Sequence, residues 1–373
     1  MLALINKRVV VSVSNDLSYD QRVKRTCESL TQLGVNVLLI GRLLPNSKPY
    51  QPNYAILRVK LPFIKGAGFY ITFQIYLFWK LLFTKTDIYF SNDLDTLLPN
   101  FLVAKIKNKK LIYDTHELFT EVPELQGRWQ KKIWLLVEKW MFPKLKNIIT
   151  VNDSIAKIYE EKYSVKIQVI RNIPFLHPLP PIQKNTSFTL ILQGAGINID
   201  RGAEELVDAM ELLENVMLKI VGNGDVIPEL KNRVISKNLS NKIIFIDKCS
   251  PEELRKITAT CHIGISLDKD TNSNYKYSLP NKLFDYIHAE IPVIASDLIE
   301  VKKIINTYNV GLIVEKVSPN DIAKQVKLLQ TNPNLYEELC SNCKKAKINS
   351  TPAAKNLYSI GIIAYFLSKN IRN

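Results

Sequence analysis

Short runs rich in Val, Ile and Leu alternate with longer helical patterns along most of this chain, and the alternation breaks decisively only once. RVVVSVS, a helical stretch over about Asp20–Leu33 and VNVLLIG form a strand, helix, strand unit, with Gly34 placed to end the helix. Further strands are expected at Asp87–Ser91, Lys110–Tyr113, Asn147–Val151 and Ile167–Ile170. Strands spaced by helices imply a parallel sheet with helices on its faces. At 174–181 four prolines fall within eight residues, which continues neither element. A second series then starts with FTLILQGAG and runs through a helix over about Ala203–Leu213, VMLKIVGNG, another helix, KIIFID, a further helix, HIGISL, LFDYIHAE and PVIASD. Ser250 as cap, Pro251 at the first helical position and Glu253 three residues on make a strong helix start. The chain therefore reads as α/β: one unit over 1–172, a linker over 173–187, a second unit over 188–350 and an apolar helical tail over 351–373. The tail either crosses back to the first unit or lies on a membrane. Ligands of such sheets sit beyond the carboxyl ends of the strands, so a cleft between two facing domains is the expected site.

Composition narrows the partners. With 46% hydrophobic and 23% charged residues among 373, disorder and low-complexity scaffolding are excluded. The net charge is +15, and residues 1–172 hold 26 basic against 14 acidic side chains, so +12 of the excess lies there and +3 in the rest. Such a balance suggests an anionic partner: nucleic acid, an anionic membrane surface or a phosphorylated substrate. Five cysteines fit a reducing cytoplasm. Cys340 and Cys343 form a lone CxxC with no second pair and no nearby His, and read as two small residues near a helix end rather than a zinc site. The amino terminus lacks the pattern of a signal peptide. The apolar stretch 66–79 has fourteen residues where a span needs about 20. It is expected as a buried or half-buried helix, with an interfacial membrane helix as the alternative.

Phosphate recognition needs close backbone approach, helix N-terminal N–H groups and a cation. The first strand is followed by SNDLSYDQR, without a glycine, which argues against a dinucleotide-dependent dehydrogenase. Glycines cluster in the second unit instead, as Gly194, Gly196 and Gly202 around Arg201, and as Gly222 and Gly224 in VGNGD. A GxG alone is more often a tight turn; two Gly-rich strand-to-helix turns in one unit, one carrying an Arg, favour nucleotide binding more than either does separately. Within 277–297, Pro280 and Asn281 lead into a helix with Lys282 in its first turn and Asp285 one turn on. A cation there opposes the helix dipole, which implies either a compensating bound anion or a solvated surface lysine. Asp285 can accept the hydroxyls of a ribose.

Taken together, NKLFDYIHAEIPVIASD, the RG turn after LILQGAG, VGNGD, KIIFIDKCSPEELRKITATCHIGISL and NVGLIVEKVSPNDIAKQV resemble the carboxyl-terminal half of retaining GT-B glycosyltransferases of family 4. DQRVKRTCESLTQLGVNVLLIG, SNDLDTLLP, LIYDTHELFTE and NIITVNDSIAKIYEEKYSVKIQVIRNIP resemble the amino-terminal half, in the expected order. The resemblance implies two facing Rossmann-like domains, 1–172 on the acceptor side and 188–350 binding the nucleotide sugar, with the tail as a crossover helix. It also implies transfer of a sugar from a nucleoside diphosphate donor to a glycan or lipid-linked saccharide, of the kind used in bacterial surface polysaccharide synthesis. By the same resemblance Asp285 takes the second position of the family's acidic motif, while Tyr277 stands where the first acid belongs. Contacts to the donor sugar are then expected from backbone N–H groups of 278–281. Arg201 matches one diphosphate cation, the other falls near Ala195, and Lys282 is the candidate replacement. His116, at the end of the strand Lys110–Tyr113, matches the family's acceptor-side histidine, with Asp114 and Glu117 placed to tune it.

The expected site thus comprises His116, Arg201 and Lys282 for the chemistry and Gly194, Gly196, Arg201, Gly222, Gly224, Asn281, Lys282 and Asp285 for the donor. The resemblance implies no metal or other cofactor, and Asp93 and Asp95 in SNDLD read as acceptor-side residues. A non-hydrolysing sugar-nucleotide epimerase of the same fold would need further acids and histidines around the sugar, against which Tyr277 and the single placed His116 argue. A nucleic-acid-binding protein would explain the charge, but no recognition module occurs. The expected location is cytoplasmic, peripheral on the inner face of the membrane, where an anionic surface uses the basic half.

Overall fold

The computed structural model describes residues 6–18, 20–176 and 183–350, which divide into two compact units, one ending at Asn172 and the other beginning at Ile173. The tail 351–373 and residues 177–182 of the expected linker, including His177, lie outside the described residues.

In the first unit the order is β1 (Arg8–Asp16), α1 (Gln21–Gln32), β2 (Asn36–Arg42), β3 (Ala55–Val59), α2 (Gly66–Phe83), β4 (Ile88–Asn92), α3 (Leu94–Ile106), β5 (Lys110–Thr115), α4 (Trp129–Met141), β6 (Ile148–Thr150), α5 (Asp153–Tyr163) and β7 (Ile167–Val169). The seven strands form one sheet in the order β3-β2-β1-β4-β5-β6-β7, and every described pairing is parallel. A central strand covered on both faces has no polar face to show, and Val9 through Val13 are accordingly all buried. Asp20 caps α1 by accepting from the Val23 N–H, and Gly34 lies just past its end at φ 76°, the left-handed conformation that closes a helix. The edge strand β3 went unread in the sequence because AILRV is short and only partly buried.

The second unit runs β8 (Phe188–Gly194), α6 (Ala203–Ala209), β9 (Val216–Gly222), α7 (Ile227–Ser236), β10 (Ile243–Ile246), α8 (Pro251–Thr260), β11 (Ile263–Ser266), α9 (Ser273–Lys276), α10 (Asn281–His288), β12 (Val293–Ser296), α11 (Ile299–Tyr308), β13 (Gly311–Val314), α12 (Pro319–Thr331) and α13 (Pro333–Ser350). Its sheet is β10-β9-β8-β11-β12-β13, again parallel. Ser250 caps α8 as its sequence demands, accepting from the Glu253 N–H at 3.2 Å. Cys340 and Cys343 correct the sequence reading: they lie well inside the 18-residue α13, and the Cys343 thiol donates to the Ile291 carbonyl at 3.4 Å.

Both units are Rossmann-like. In each, the strand order reverses beside the first strand, between β1 and β4 and between β8 and β11, and that is where a doubly wound sheet leaves a crevice at its carboxyl edge.

Candidate active site

At the β1/β4 crevice the strand ends deliver a cluster of acids around His116. The Arg22 guanidinium, from the first turn of α1, forks onto Asp114 at 2.9 and 2.7 Å and also donates to the Ile170 carbonyl at 2.7 Å. On the His116 ring, Nε2 lies 3.4 Å from Asp114 and 3.2 Å from the Asn92 side-chain oxygen, while Nδ1 lies 3.2 Å from Asp93. Asn92 donates its amide N–H to the Ser12 carbonyl, which turns its oxygen toward the ring. Asp93 accepts the His116 backbone N–H at 2.9 Å and sits at φ 57°, a left-handed conformation costly for a residue with a Cβ. Asp95 is buried and accepts from Ser14.

This packing separates the titrations. Burial alone disfavours the charged imidazole, but Asp93 and Asp114 outweigh it and raise His116 to about 9. Burial likewise lifts Asp114, yet Arg22 and His116 pull it down to about 2. Burial pushes Asp93 up to about 7 against the pull of His116, with Glu117 and Asp95 adding to the rise. Burial takes Asp95 to about 6 despite the Ser14 hydrogen bond. Asp114, which the sequence placed to tune His116, does so, and Asp93, which the sequence did not connect to it, is a second partner on the other ring nitrogen. Both ring nitrogens are engaged inside the unit, so the imidazole acts as a brace between two carboxylates.

At the β8/β11 crevice the arrangement is inverted. Asp268, two residues past β11 and 2% exposed, stands between Arg201 at 3.4 Å and Lys282 at 3.3 Å. The turn holding Arg201 is stitched to the same strand end: Lys269 donates its N–H to the Asp200 carbonyl at 2.8 Å, and a Cβ on Gly202 would come within 2.5 Å of Leu267. The Arg201 guanidinium lies over the Tyr275 ring, 4.8 Å from its centroid. Lys282 is not a solvated surface lysine: its side chain is 11% exposed and faces Asp268, a single carboxylate shared with Arg201. Asn281 opens α10, and its side-chain oxygen is buried without a hydrogen-bond partner among the described residues. Asp285 accepts from Gln193 at 3.0 Å, and Gln193 accepts from Thr258 at 2.7 Å. The Tyr286 hydroxyl accepts the Gln193 N–H at 3.3 Å and points at the carbonyls of Ile191 and Ile265, at 3.3 and 3.0 Å, one on each strand of the seam.

The glycines have backbone reasons to be there. Gly222 adopts φ 128°, and a Cβ on it would meet the Gly194 carbonyl oxygen at 1.9 Å. One on Gly224 would meet the Ile197 carbonyl oxygen at 1.9 Å. The two turns are pressed together, closed by the Ile197 N–H donating to Asn223 at 2.9 Å. Gly196 lies in the same turn against Asn198. Of the N–H groups expected to serve the donor sugar, that of Ser278 is donated to the Tyr275 carbonyl at 3.0 Å. Sequence reasoning missed Asp268, Arg22 and Gln193: Arg22 and Gln193 lie within quoted segments without a role assigned, Asp268 lies just past one, and only their strand-end or first-turn positions mark them.

Two Rossmann-like sheets with charged side chains and glycine turns at their carboxyl-edge crevices can host many group-transfer chemistries, and sequence comparison says which class this is. Residues 20–173 match the profile described as Glycosyltransferase Family 4, and residues 180–348 match Glycosyl transferases group 1. The chain belongs to these group 1, family 4 glycosyltransferases and is a transferase of GT-B fold. It is 22% identical to the chitobiosyldiphosphodolichol beta-mannosyltransferase of Candida albicans, over 93% of this chain and 85% of that one. Sucrose-phosphate synthase from Thermosynechococcus elongatus superposes with a TM-score of 0.82 at 15% identity, covering 98% of this chain and all of that one (100%). Anabaena Alr3699/HepE, solved in complex with UDP and glucose, gives 0.73 at 11% identity, covering 96% and 100%.

Proposed function

We propose that this glycosyltransferase moves a sugar from a nucleoside diphosphate sugar to a glycan or lipid-linked saccharide, with retention at the anomeric carbon, in the building of cell-surface polysaccharide at the inner face of the membrane. The observation that carries the reading is the convergence of Arg201 and Lys282 on Asp268. A buried carboxylate aligns two cations at a strand end and leaves a net positive charge for a diphosphate. The donor's C1–O bond breaks with its electron pair passing to the diphosphate oxygen, the acceptor oxygen bonds to C1, and the acceptor proton goes to that same phosphate oxygen. Arg201, Lys282 and the amino end of α10 stabilise the charge that develops, an electrostatic contribution of several kcal/mol. Asp285, steadied by Gln193, accepts the ribose hydroxyls, and Asn281 adds a polar contact. His116 braces Asp93 and Asp114 on the acceptor side. No metal or other cofactor has a role in these steps. A structure solved with UDP and glucose and a relative named for a diphosphodolichol-linked acceptor both support this choice of substrates.

A thermal-shift screen with UDP, GDP and their sugars tests donor binding, since ligand at 100 times its Kd adds about 2.7 kcal/mol. Sugar nucleotide incubated without acceptor should stay unchanged; turnover to an epimer would replace the transfer reading. Inversion is the second reading, favoured by the Asp93 carboxyl near 7, suited to serve as a base, and by the beta-mannosyl name of the Candida relative. The anomeric coupling of the product, compared with that of the donor, decides between them.

A further inference from the structure

The outer side of the first unit carries an apolar face that the reaction does not use. On α4, Trp129, Ile133, Leu136 and Trp140 follow the i, i+4, i+7, i+11 spacing of a single helical face, and all four are exposed, Leu136 by 68%. The opposite side of α4 buries Trp134, Glu138 and Met141. On α2, Ile71, Ile75, Trp79 and Phe83 recur every fourth residue and are likewise exposed, Phe83 by 79%, while Phe69, Phe73, Leu77 and Leu81 fill the core. The sequence expectation of a half-buried helix at 66–79 therefore holds, with an outward face as apolar as the inward one.

The two stripes belong to one layer. α2 packs over Tyr89 and Leu111, α4 continues into Phe142 against Tyr113, and these three sheet residues point to the same side because Tyr89 pairs with Leu111, two residues from Tyr113. Tyr70 of α2 meets Trp134 of α4 edge-on at 5.4 Å. Between them α3 ends in exposed Ile106.

Charge says what covers this layer. Residues 60–85 hold four lysines and no acid, residues 99–110 four lysines and no acid, and residues 126–147 six basic side chains against one acid. That acid, Glu138, is buried and hydrogen-bonded by Lys162 and Tyr163. Lys132 and Lys139 are exposed and flank the α4 stripe on one side, and the Lys144 ammonium lies 4.2 Å from the Trp140 ring centroid. Exposed tryptophan and aliphatic side chains fringed by lysines, with no exposed acid in these segments, match the boundary between headgroups and acyl chains of an anionic bilayer. No helix among the described residues is long and apolar enough to cross a membrane, so insertion is in the plane.

We propose that α2 and α4 form a docking face that seats the first unit in an anionic lipid surface through Ile71, Ile75, Trp79, Trp129, Ile133, Leu136 and Trp140. This deepens the reading of an acceptor handled at the membrane, and it stands on the surface alone.

The test is co-sedimentation of the full chain with vesicles of phosphatidylcholine alone or mixed with phosphatidylglycerol, without donor or acceptor. Binding is expected to the anionic vesicles only, with a blue shift of tryptophan emission. It should be lost near 1 M salt, where the Debye length is about 3 Å. Lys132→Glu with Lys139→Glu should weaken binding by about thirtyfold or more, given about 1 kcal/mol for each basic residue at the surface. Ile75→Glu with Leu136→Glu should weaken it by more than about a hundredfold, given about 1.5–3 kcal/mol for each apolar side chain buried. Melting temperatures should stay unchanged, because the four sites are exposed. Equal binding to neutral vesicles, or wild-type binding by the apolar pair of variants, would overturn the proposal. So would the absence of binding, whether the chain is monomeric or forms a dimer that Leu136→Glu dissociates, the latter assigning the face to a second copy. Vesicle binding without sugar transfer would sink the proposed reaction and leave this face intact; transfer to a soluble acceptor without vesicle binding would do the reverse.

Discussion

At the first unit's crevice two carboxylates enclose one imidazole, with a guanidinium behind; at the second unit's crevice one carboxylate stands between two cations. The folds around them share one topology, so the contrast comes from a few strand-end side chains. An acid-rich crevice stores protons, and burial brings Asp93 and Asp95 within reach of neutral pH. A crevice in which two cations share one carboxylate stores attraction for phosphate. In the proposed reaction the second crevice stabilises the leaving diphosphate, while the first holds an internally braced set of acids on the acceptor side.

The contrast can be broken most directly at Arg201. Arg201→Ala should lower kcat/KM by about 10²–10³, and a near wild-type rate would remove the cation pair from the reaction. Next is Asp268→Asn, which keeps the shape and frees both cations; loss of their alignment should cost about tenfold to a hundredfold in kcat. If the variant instead binds nucleoside diphosphate more tightly and turns over faster, Asp268 competes with the donor rather than preparing its site. Asp285→Asn should raise the donor KM by about tenfold, the loss of one hydrogen bond to a charged group, with kcat little changed.

His116 sharpens the comparison through pH. Its folded pKa of about 9 lies above the ordinary 6.5, so its contribution to stability is complete below about 6.5 and disappears as the pH rises through about 9. Denaturant melts of the wild type and His116→Asn should therefore differ by a gap that narrows between those limits, and a constant gap would show that the imidazole is not charged in the fold. The smallest expected effect is none: activity in excess chelator should equal that without it, and strict Mn²⁺ dependence would reassign Asp93 and Asp95 as ligands.

Much of the fold could be read from the chain because both sheets are parallel and covered on both faces, which forces continuous apolar strands such as Val9–Val13 and Leu190–Leu192. The cap at Ser250 and the terminator Gly34 were visible from local sequence alone. Proline also marks a boundary at Asn332–Pro333, where α12 ends and Pro333 opens α13. The site was only partly visible. Arg201, Lys282 and Asp285 lie near glycines or a helix start and carry motifs, whereas Asp268 carries none, because pairing across 67 residues leaves no local spacing to detect. Asp93 showed as one half of a DxD, but its hold on His116 comes from neighbouring strand ends.

Tyr286 gives the second crevice a mechanical property. Strands β8 and β11 pair through only two described residue pairs, Ile263 with Leu190 and Gly264 with Ile191, before they part toward the carboxyl edge. Beyond that point one phenolic oxygen bridges the gap, and its ring lies where any side chain at Gly264 would stand. The seam works as a zipper with a clasp: the Gln193 N–H and the carbonyls of both strands meet at the Tyr286 hydroxyl, which ties them to α10, the helix of Lys282 and Asp285. Local opening there is therefore cooperative, and the amide of Gln193 should exchange with solvent only when α10 and the strand ends at that crevice separate together.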